Sequence, residues 1–278
     1  MRIGRLTDES TTFWAALQPD GTSVRPLSGA VASWAPLITA GGPAAAPYDG
    51  PARPLSGLRL LAPAEPQAKV VCLGATYAKH VAGLGAAMVG QPAAFWKPFD
   101  ALIGPDEDIV YPTITRGLDF EVELVMVVGA ERVDRDAPLQ SVLGYTVGND
   151  ISLRDLQFAG SATGMDMFSA KSAERSTPLG PWIVTRDEFG DVHPDLQLTL
   201  TVNGEVRQSE RTSAMAFELD HLVRWADERT VLRPGDVVYT GTPHGVAHED
   251  GRYLQPGDVV ETSVERLGTL RNTVRTRA

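Results

Sequence analysis

The sequence contains almost no cysteine. Cys72 is the single cysteine among 278 residues. It lies in the apolar stretch KVVCLGA, so no disulfide can form within the chain and a buried side chain is expected. No apolar run approaches the roughly 18 residues of a membrane-spanning helix, and the first residues lack the apolar core of a signal peptide. These absences predict a soluble protein of the reducing cytoplasm with no membrane partner.

Positive charge is also scarce. The chain has 25 Lys and Arg residues against 35 Asp and Glu residues, for a formal net charge of −10. Because affinity for nucleic acid depends mainly on Lys and Arg contacts to phosphate, we expect no nucleic-acid partner. No G-x-G-x-x-G follows a strand-like segment and no Walker A sequence is present, so nothing favours a dinucleotide-binding or P-loop fold.

The residues that are present divide the chain into two parts. Residues 1–66 hold short apolar pieces separated by Gly, Pro and Ala, with little sign of a long amphipathic helix, and predict a small, loop-rich N-terminal domain. The stretch 57–77 predicts a strand, a turn broken by proline and a second strand. We therefore place a domain boundary near residue 67, with residues 67–278 forming the main domain.

Turn signals dominate the main domain, and helices are few. Asn-Gly within 202–206 predicts a tight hairpin. The related stretches 232–240 and 254–262 each predict a Pro-Gly turn that leads into a strand. Helical spacing of apolar residues is best at 150–159 and 213–228. Strands that follow strands, with occasional helices packed outside them, predict an α+β fold that is predominantly β.

The segment LDFEVELVMVVG, residues 118–129, joins three acids to an almost wholly apolar run. In an extended strand alternate side chains share a face, and residues two apart are separated by about 6.6 Å. Glu121 and Glu123 could therefore both provide oxygen ligands to a hard divalent cation such as Mg²⁺. The alternative is a half-exposed strand whose acidic face meets solvent. Asp119 shares that face, and we expect it to support the ligands or to face solvent.

A third ligand is available in the segment GYTVGNDISLRDLQ. If a helix begins at residue 149 or 150, then Asp150, Arg154 and Gln157 are spaced at i, i+4 and i+7 and share one polar face. Asp150 would then bind the cation, while Arg154 and Gln157 would contact an anionic, oxygen-rich substrate. The alternative from the same spacing is that Asp150 caps the helix and pairs with Arg154.

Several segments together resemble the fumarylacetoacetate hydrolase family, over roughly residues 57 to 274. Any one of them could occur by chance, but the whole set in the same order would not. The matching stretches are VVCLGATYAKH, FWKPFDALIGPDEDIVYP, LDFEVELVMVVG, GYTVGNDISLRDLQ, AKSAERSTPLGPWIV, LTVNGEVRQSERTSAMAF, LRPGDVVYTGTPHGV and LQPGDVVETSVERLGTL. The resemblance implies a mixed β-sandwich roll as the catalytic domain, usually in a homodimer.

The resemblance also implies the chemistry of the site. Members of the family hold a divalent metal that is chelated by a 2-oxo acid or a diketo acid, and the matching ligands here are Glu121, Glu123 and Asp150. We expect Mg²⁺, with Mn²⁺ or Ca²⁺ as alternatives. As a Lewis acid, such a cation stabilises the enolate that develops when a carbon–carbon bond breaks.

Further residues take their roles from the same resemblance. Lys171 matches a lysine that holds substrate or a developing anion, and Thr242 matches a substrate-contacting threonine. His80 matches a histidine that activates water as a general base in hydrolytic members. Many members have Glu three residues after this histidine, but residue 83 is glycine here. The water-activating pair therefore lacks its usual carboxylate.

Two other positions depart from the family pattern. Phe-Asp-Thr usually follows two residues after the lysine, where this chain has Ala173, Glu174 and Arg175, and His244 replaces a small residue after Gly-Thr-Pro. Substrate choice could differ accordingly, and Glu174 or His244 could replace the base. An ordinary position in an exposed turn is the alternative for His244.

These residues predict a metal-dependent hydrolase or lyase that cleaves a carbon–carbon bond in a 2-oxo or 2,4-dioxo acid. A decarboxylase of an oxaloacetate-like acid, a keto–enol isomerase and a hydratase are alternatives, because all of them share an enolate. Outside the enzymes, the acids could hold a structural cation in a β-rich protein.

Overall fold

The computed structural model describes residues 1–88, 90–162 and 164–277. Its N-terminal part is built from short antiparallel strands and one helix. In chain order these are β1 (Arg2–Thr7), β2 (Thr12–Leu17), β3 (Ser23–Pro26), α1 (Val31–Gly41), β4 (Arg53–Pro54) and β5 (Arg59–Leu61). The expectation of a loop-rich segment without a long helix is therefore wrong for α1, which buries Trp34 and Ile38. Pro36 lies inside this helix, and because proline is disfavoured in a helix interior the sequence did not indicate a helix here.

A large mixed sheet forms the centre of the molecule. Besides the N-terminal strands it contains β6 (Val70–Gly74), β7 (Ala93–Lys97), β8 (Leu102–Ile103), β11 (Val122–Val128), β12 (Val142–Asn149), β14 (Thr177–Thr185) and β17 (Val237–Tyr239). The main order is β4-β3-β2-β1-β14-β12-β11-β17-β6-β7. Because β1 pairs with β14, with Ile3 opposite Ile183, the N-terminal strands extend the sheet of the main domain. The boundary near residue 67 stays a prediction.

A second sheet has the order β16-β15-β18-β19-β9. Its strands are β9 (Ile109–Tyr111), β15 (Gln197–Val202), β16 (Glu205–Arg211), β18 (Val259–Val264) and β19 (Gly268–Thr276), and the short strands β10 (Leu118–Asp119) and β13 (Ser152–Leu153) form a separate pair. The predicted hairpin is confirmed, since Asn203 and Gly204 connect β15 to β16 with positive φ angles of 53° and 81°. The predicted Pro-Gly turns lead into β17 and β18.

The other helices are short except for one. They are α2 (Ala78–Gly83), α3 (Arg154–Gln157), α4 (Met167–Lys171), α5 (Leu219–Arg229) and α6 (Ala247–Asp250). The helix predicted at 213–228 is confirmed from residue 219 onward. The helix predicted at 150–159 is wrong in its first turn, because residues 152 and 153 pair with 118 and 119 as strands. In the described ranges, no helix has the length and hydropathy needed to cross a membrane.

Two apolar cores cover the two faces of the central sheet at β11. Leu124, Met126 and Val128 pack into one core, and Val125 and Val127 pack into the other. Burial on both faces explains why this strand is almost wholly apolar. Cys72, on β6, is a free thiol with a fully buried side chain, as predicted. The prediction of a predominantly β, α+β fold is confirmed.

Candidate active site

Three buried carboxylates meet beside the apolar half of β11. Oxygens of Glu121, Glu123 and Asp150 lie within 4.8 Å of one another. The pairing of β11 with β12 sets Val122 opposite Asn149, so the residue before one strand and the residue after the other become neighbours. The Asp150 amide donates a 2.9 Å hydrogen bond to the carbonyl of Glu121. Strand register, rather than a helix face, therefore brings Asp150 to the two glutamates.

The acidic segment is not one continuous strand as predicted. Pairing stops between β10 and β11, at residues 120 and 121. There the Glu121 amide donates to the side-chain oxygen of Asn149, and the Val122 amide donates to that of Gln208, both at 2.9 Å. These side chains replace the ladder partners that the break removes. The half-exposed acidic strand is excluded, because both glutamates are buried.

Two buried lysines hold Asp150. The ammonium group of Lys171 lies 2.7 Å from Asp150 Oδ2 and 2.9 Å from Glu121 Oε2. Lys97, at the end of β7, lies 2.9 Å from Asp150 Oδ1. Burial alone would lower the pKa of Lys171, but the charges of Asp150 and Glu121 raise it above its ordinary value. Sequence reasoning missed Lys97, which stands in a matched stretch but carries no spacing signal of its own.

Arg154 does not pair with Asp150, as the capping alternative supposed, but with three other side chains. Its Nε donates to Asp119 Oδ2 at 2.8 Å, one terminal nitrogen contacts Glu121 Oε1, and the other donates to Gln157 Oε1 at 2.8 Å. All three partners are buried. The guanidinium group is therefore fixed in position before any ligand binds.

Asp119 does not face solvent. Its side chain is completely buried, and besides Arg154 it accepts hydrogen bonds from the backbone amides of Phe120, Ala247 and His248 at 2.7, 2.7 and 3.0 Å. Two of these amides begin α6. Asp119 therefore ties that helix to the arginine, which supports the first of the two roles expected for it.

Glu123 differs from its neighbours because no Lys or Arg in the described residues pairs with it. Its Oε2 accepts a 2.6 Å hydrogen bond from the Gly241 amide. Gly241 has a φ of +92°, and a Cβ there would lie 2.0 Å from Thr76 Oγ1, so the close approach needs glycine.

Burial, together with the charges of Asp150 and Glu121, raises the pKa of Glu123 well above its ordinary value. Burial also raises the pKa of Glu121, but the charges of Lys171 and Arg154 outweigh it and hold that pKa below its ordinary range. Three hard oxygen donors, one of them without a cationic partner, fit a divalent cation.

His80 has a carboxylate partner that the sequence did not reveal. Its Nδ1 lies 3.8 Å from Glu249 Oε1, an ion-pair distance longer than a hydrogen bond. A Cβ added to Gly83 would lie 3.0 Å from the carboxyl carbon of Glu249, so this side chain fills the space next to residue 83. Burial raises the pKa of Glu249, but the nearby His80 and the hydrogen bond from the Gly245 amide lower it overall. The chain thus supplies from α6 the carboxylate that is missing at residue 83.

All of the predicted site residues line one cavity of about 270 Å³. Thr242 lies at its edge, where its hydroxyl donates to the Val122 carbonyl at 3.0 Å and accepts from Gln208 Nε2 at 2.9 Å. The full set is His80, Glu121, Glu123, Asp150, Arg154, Gln157, Lys171 and Thr242.

The two suggested replacements for the base lie outside this cavity lining. Glu174 is largely exposed, pairs with Arg277 at 3.1 Å and lines a separate cavity, so the structure contradicts a role for it as the base. His244 is half-buried and does not line the site cavity. Its charge contributes to lowering the pKa of Glu249, after the larger contributions from His80 and Gly245.

The fold and the site together define a β-rich protein with a buried carboxylate cluster, suited to a divalent cation, next to a histidine–glutamate pair. The chain belongs to the fumarylacetoacetate hydrolase family. Residues 69–275 match the family described as Fumarylacetoacetate (FAA) hydrolase C-terminal, and residues 1–63 match Rv2993c-like, N-terminal. The resemblance inferred from the sequence is therefore confirmed.

Individual relatives agree with this membership. Protein Rv2993c of Mycobacterium tuberculosis is 36% identical over 283 residues, covering 99% of this chain and 98% of that protein. The mitochondrial oxaloacetate tautomerase FAHD2A of Bos taurus is 36% identical over 228 residues, covering 81% and 72%. A fumarylpyruvate hydrolase from Pseudomonas aeruginosa, solved with Mn²⁺ and pyruvate, is 30% identical with a TM-score of 0.68, covering 75% of this chain and 90% of that one.

Proposed function

We propose that this protein is a divalent-metal-dependent hydrolase that cleaves a carbon–carbon bond in a 2,4-dioxo acid, an acylpyruvate. The observation that carries the proposal is that the carboxylate cluster and His80, with Glu249 behind it, face the same cavity. A related structure that contains Mn²⁺ and pyruvate supports both the metal and the 2-oxo acid. We propose Mg²⁺ as the cation, with Mn²⁺ or Ca²⁺ as alternatives.

Glu121, Glu123 and Asp150 would hold the cation, which supplies Lewis acidity to the oxygens of the 2-oxo acid when bound. The chain's own residues position the rest. Lys171 fixes two of the carboxylates, Arg154 and Gln157 offer N–H donors to the substrate carboxylate, and Thr242 borders the cavity. Because buried partners already hold these groups in place, little conformational entropy is lost in ordering them when the substrate binds.

The histidine pair would move the proton. Since Nδ1 of His80 faces Glu249, a proton on Nδ1 leaves Nε2 as the basic nitrogen. Nε2 takes a proton from water, and the hydroxide adds to the acyl carbonyl carbon, C4. The C3–C4 bond then breaks, and its electron pair passes to C3. The proton returns from His80 to C3, so the products are a carboxylic acid and pyruvate.

Keto–enol interconversion of oxaloacetate is a second candidate, and the similarity to the bovine oxaloacetate tautomerase favours it. That reaction needs His80 to move a proton between C3 and an oxygen, with no water consumed. The absence of a glutamate at residue 83 favoured such a reaction, because it left His80 without a carboxylate partner. Glu249 provides that partner, so the absence no longer argues against hydrolysis.

A substrate panel tests the proposal. Acetylpyruvate and oxaloacetate are incubated with the protein and Mg²⁺, Mn²⁺ or Ca²⁺, and diketo absorbance, pyruvate and CO₂ are measured. A hydrolase consumes acetylpyruvate and forms pyruvate without CO₂. A decarboxylase converts oxaloacetate to pyruvate and CO₂. A tautomerase changes the absorbance of oxaloacetate and forms neither pyruvate nor CO₂. No reaction with any cation would refute the assignment and favour a structural cation. Activity in a metal-free Glu121→Ala variant would refute the role of the metal in the reaction.

We also propose that the protein is a cytoplasmic homodimer that binds neither nucleic acid nor membrane. Phe168 and Ile114 support an interface, because their side chains are 82% and 66% exposed and both border a cavity of about 340 Å³. Such apolar exposure is typical of surfaces that pack against another chain. Sedimentation of the protein with and without Phe168→Asp tests this assignment, and a monomer in both cases would contradict it.

A further inference from the structure

The site cavity has two chemically different parts. The carboxylates and their cations form one side of it. Apolar side chains line most of the rest, among them Val81, Leu84, Ala93, Phe95, Met165 and Met167 from three separate segments. Val81 is buried, whereas Met165 is 54% exposed at the outer part of this wall. The two parts are in contact, because the Lys171 ammonium lies 4.9 Å from the centre of the Phe95 ring and the sulfur of Met167 lies 3.5 Å from Gln157 Nε2. A ligand held at the carboxylates therefore extends directly along an apolar wall.

Both cations that line the cavity already have acidic partners. Lys171 is paired with Glu121 and Asp150, and Arg154 is paired with Asp119 and Glu121. Among the lining residues that the structure describes, there is no further lysine or arginine. The carboxylate of a 2-oxo acid can therefore bind near Lys171 and Arg154, but a second carboxylate at the far end of the same molecule would find no lysine or arginine to pair with.

The consequence for selectivity follows from burial. A carboxylate pressed against the apolar wall would lose water without gaining a partner, which weakens binding about 10- to 100-fold. An alkyl chain in the same place gains about four-fold in affinity for each buried methylene. The cavity volume of about 270 Å³ lies just below the range for drug-sized ligands and suits a small acid.

We propose that this site selects 2-oxo acids with one carboxylate and a short apolar tail, and that it discriminates against acids whose tail ends in a second carboxylate. The proposal rests on the proposed function only in that the 2-oxo group lies at the carboxylate cluster. Acylpyruvates with straight or branched alkyl tails fit it, whereas fumarylpyruvate, with a terminal carboxylate, does not.

Binding of unreactive oxamates tests the proposal without any turnover. N-propyloxamate and N-(2-carboxyethyl)oxamate share the chelating end and have tails of similar length, one apolar and one charged. Their dissociation constants are measured by calorimetry with Mn²⁺-loaded protein, each relative to unsubstituted oxamate. We expect the propyl compound to bind at least about 10-fold more tightly. Equal affinity, or tighter binding of the carboxyethyl compound, would overturn the proposal.

A cation introduced into the wall should reverse the preference. In Leu84→Arg the new guanidinium group can meet the tail carboxylate, so the ratio of the two dissociation constants should shift about 10-fold toward the charged tail. Val192→Arg is the matched control, because it adds the same charge on an exposed residue outside the cavity lining and should leave the ratio unchanged. An equal shift in both variants would mean that net charge, and not the wall, sets the preference.

The outcomes separate this proposal from the proposed function. If the propyl preference holds but no acylpyruvate is cleaved, the selectivity stands and the hydrolase assignment fails. If acylpyruvates are cleaved with equal kcat/KM for alkyl and carboxyalkyl tails, the hydrolase assignment stands and the selectivity fails. If no oxamate binds to the Mn²⁺-loaded protein, both fail.

Discussion

Replacing Glu121 by Gln and Glu123 by Gln should change the stability of the metal-free protein in opposite directions, although both carboxylates belong to one cluster. Glu121 is paired with Lys171 and Arg154, and all three side chains are buried. Removing one member of a buried ion pair costs about 3–5 kcal/mol. Lys171 keeps Asp150 and Arg154 keeps Asp119, so we take the lower value, about 3 kcal/mol.

Glu123 has no such partner, and its carboxyl group faces two other carboxylates, which disfavours its ionised form. Gln keeps the shape and the acceptor for the Gly241 amide but cannot ionise, so Glu123→Gln should remove the cost of the raised pKa and stabilise the metal-free protein at neutral pH. At about 2 °C per kcal/mol for a chain of this size, Glu121→Gln should lower Tm by about 6 °C and Glu123→Gln should raise it.

The dependence on pH follows from the two pKa shifts. The pKa of Glu123 is raised, so its unfavourable contribution is absent below its ordinary value of 4.5, grows as pH rises from 4.5 to the raised value and is constant above it. The pKa of Glu121 is lowered, so its stabilisation is present above 4.5 and is lost as pH falls through the lowered value. The stabilisation by Glu123→Gln should therefore be larger at pH 8 than at pH 5.

Thermal unfolding in EDTA at pH 5 and pH 8 measures both effects, and a repeat with Mn²⁺ shows whether each variant loses the rise in Tm that bound metal gives the parent protein. Glu174→Gln is the matched control, because its exposed pair with Arg277 contributes at most about 1 kcal/mol. A loss of Tm for Glu123→Gln as large as that for Glu121→Gln would refute the electrostatic reasoning.

Three further predictions concern other residues of the site and the buried Cys72. His80→Ala should lower kcat about 10²- to 10⁴-fold and leave the calorimetric affinity for Mn²⁺ within a few-fold. Glu249→Gln should lower kcat less and should shift the pH profile of kcat. Near-normal turnover in His80→Ala would exclude His80 as the base. Asp119→Asn should raise KM for the 2-oxo acid, since Arg154 loses one of its two charged partners and keeps only Glu121. Asp119→Glu should raise KM as well, because the completely buried position has no room for a longer side chain; an unchanged KM in both variants would contradict this. Cys72 should not react with thiol reagents in the native protein, because burial raises its pKa well above the ordinary value, and should react after unfolding; rapid native labelling would contradict the buried position.

The sequence allowed the cluster of Glu121, Glu123 and Asp150 to be predicted from the alternate spacing of the two glutamates and from the family resemblance that added the aspartate. In the structure each of these acids lies in or next to a long apolar strand. Residues 122–128 and 142–149 pair as neighbouring strands, so acids at the ends of the two segments lie close together even though the predicted helix start is wrong. The predicted start of the helix after Asn149 was wrong. The sequence favoured a helix from residue 149 or 150, but the pairing of Ser152 and Leu153 with β10 delays that helix to Arg154. A long-range strand pair thus overrode local helical spacing.

Glu249 and Lys97 could not be predicted for a different reason. Each contacts a residue that is distant in the chain, and nothing in the local pattern separates a buried, paired charge from a solvated one. Gly83 gave an indirect signal, because a missing carboxylate next to a retained histidine calls for a replacement from elsewhere. It could not say from where, since the sheet that brings α6 beside α2 is set by pairings across the whole chain.

The distribution of cations around the cluster bears on why a metal should bind here. Lys171, Lys97 and Arg154 together contact Glu121, Asp150 and Asp119 but leave Glu123 with a single amide donor. A buried carboxylate without a cation is costly, and here two neighbouring acids add to the cost. A divalent ion next to Glu123 would offset that repulsion and favour the ionised carboxylate that the raised pKa disfavours. Metal binding should therefore tighten as pH rises. The number of protons released on binding, measured by calorimetry in buffers of different ionisation enthalpy, should be smaller in Glu123→Gln than in the parent protein for any metal that still binds, and an unchanged number would contradict this.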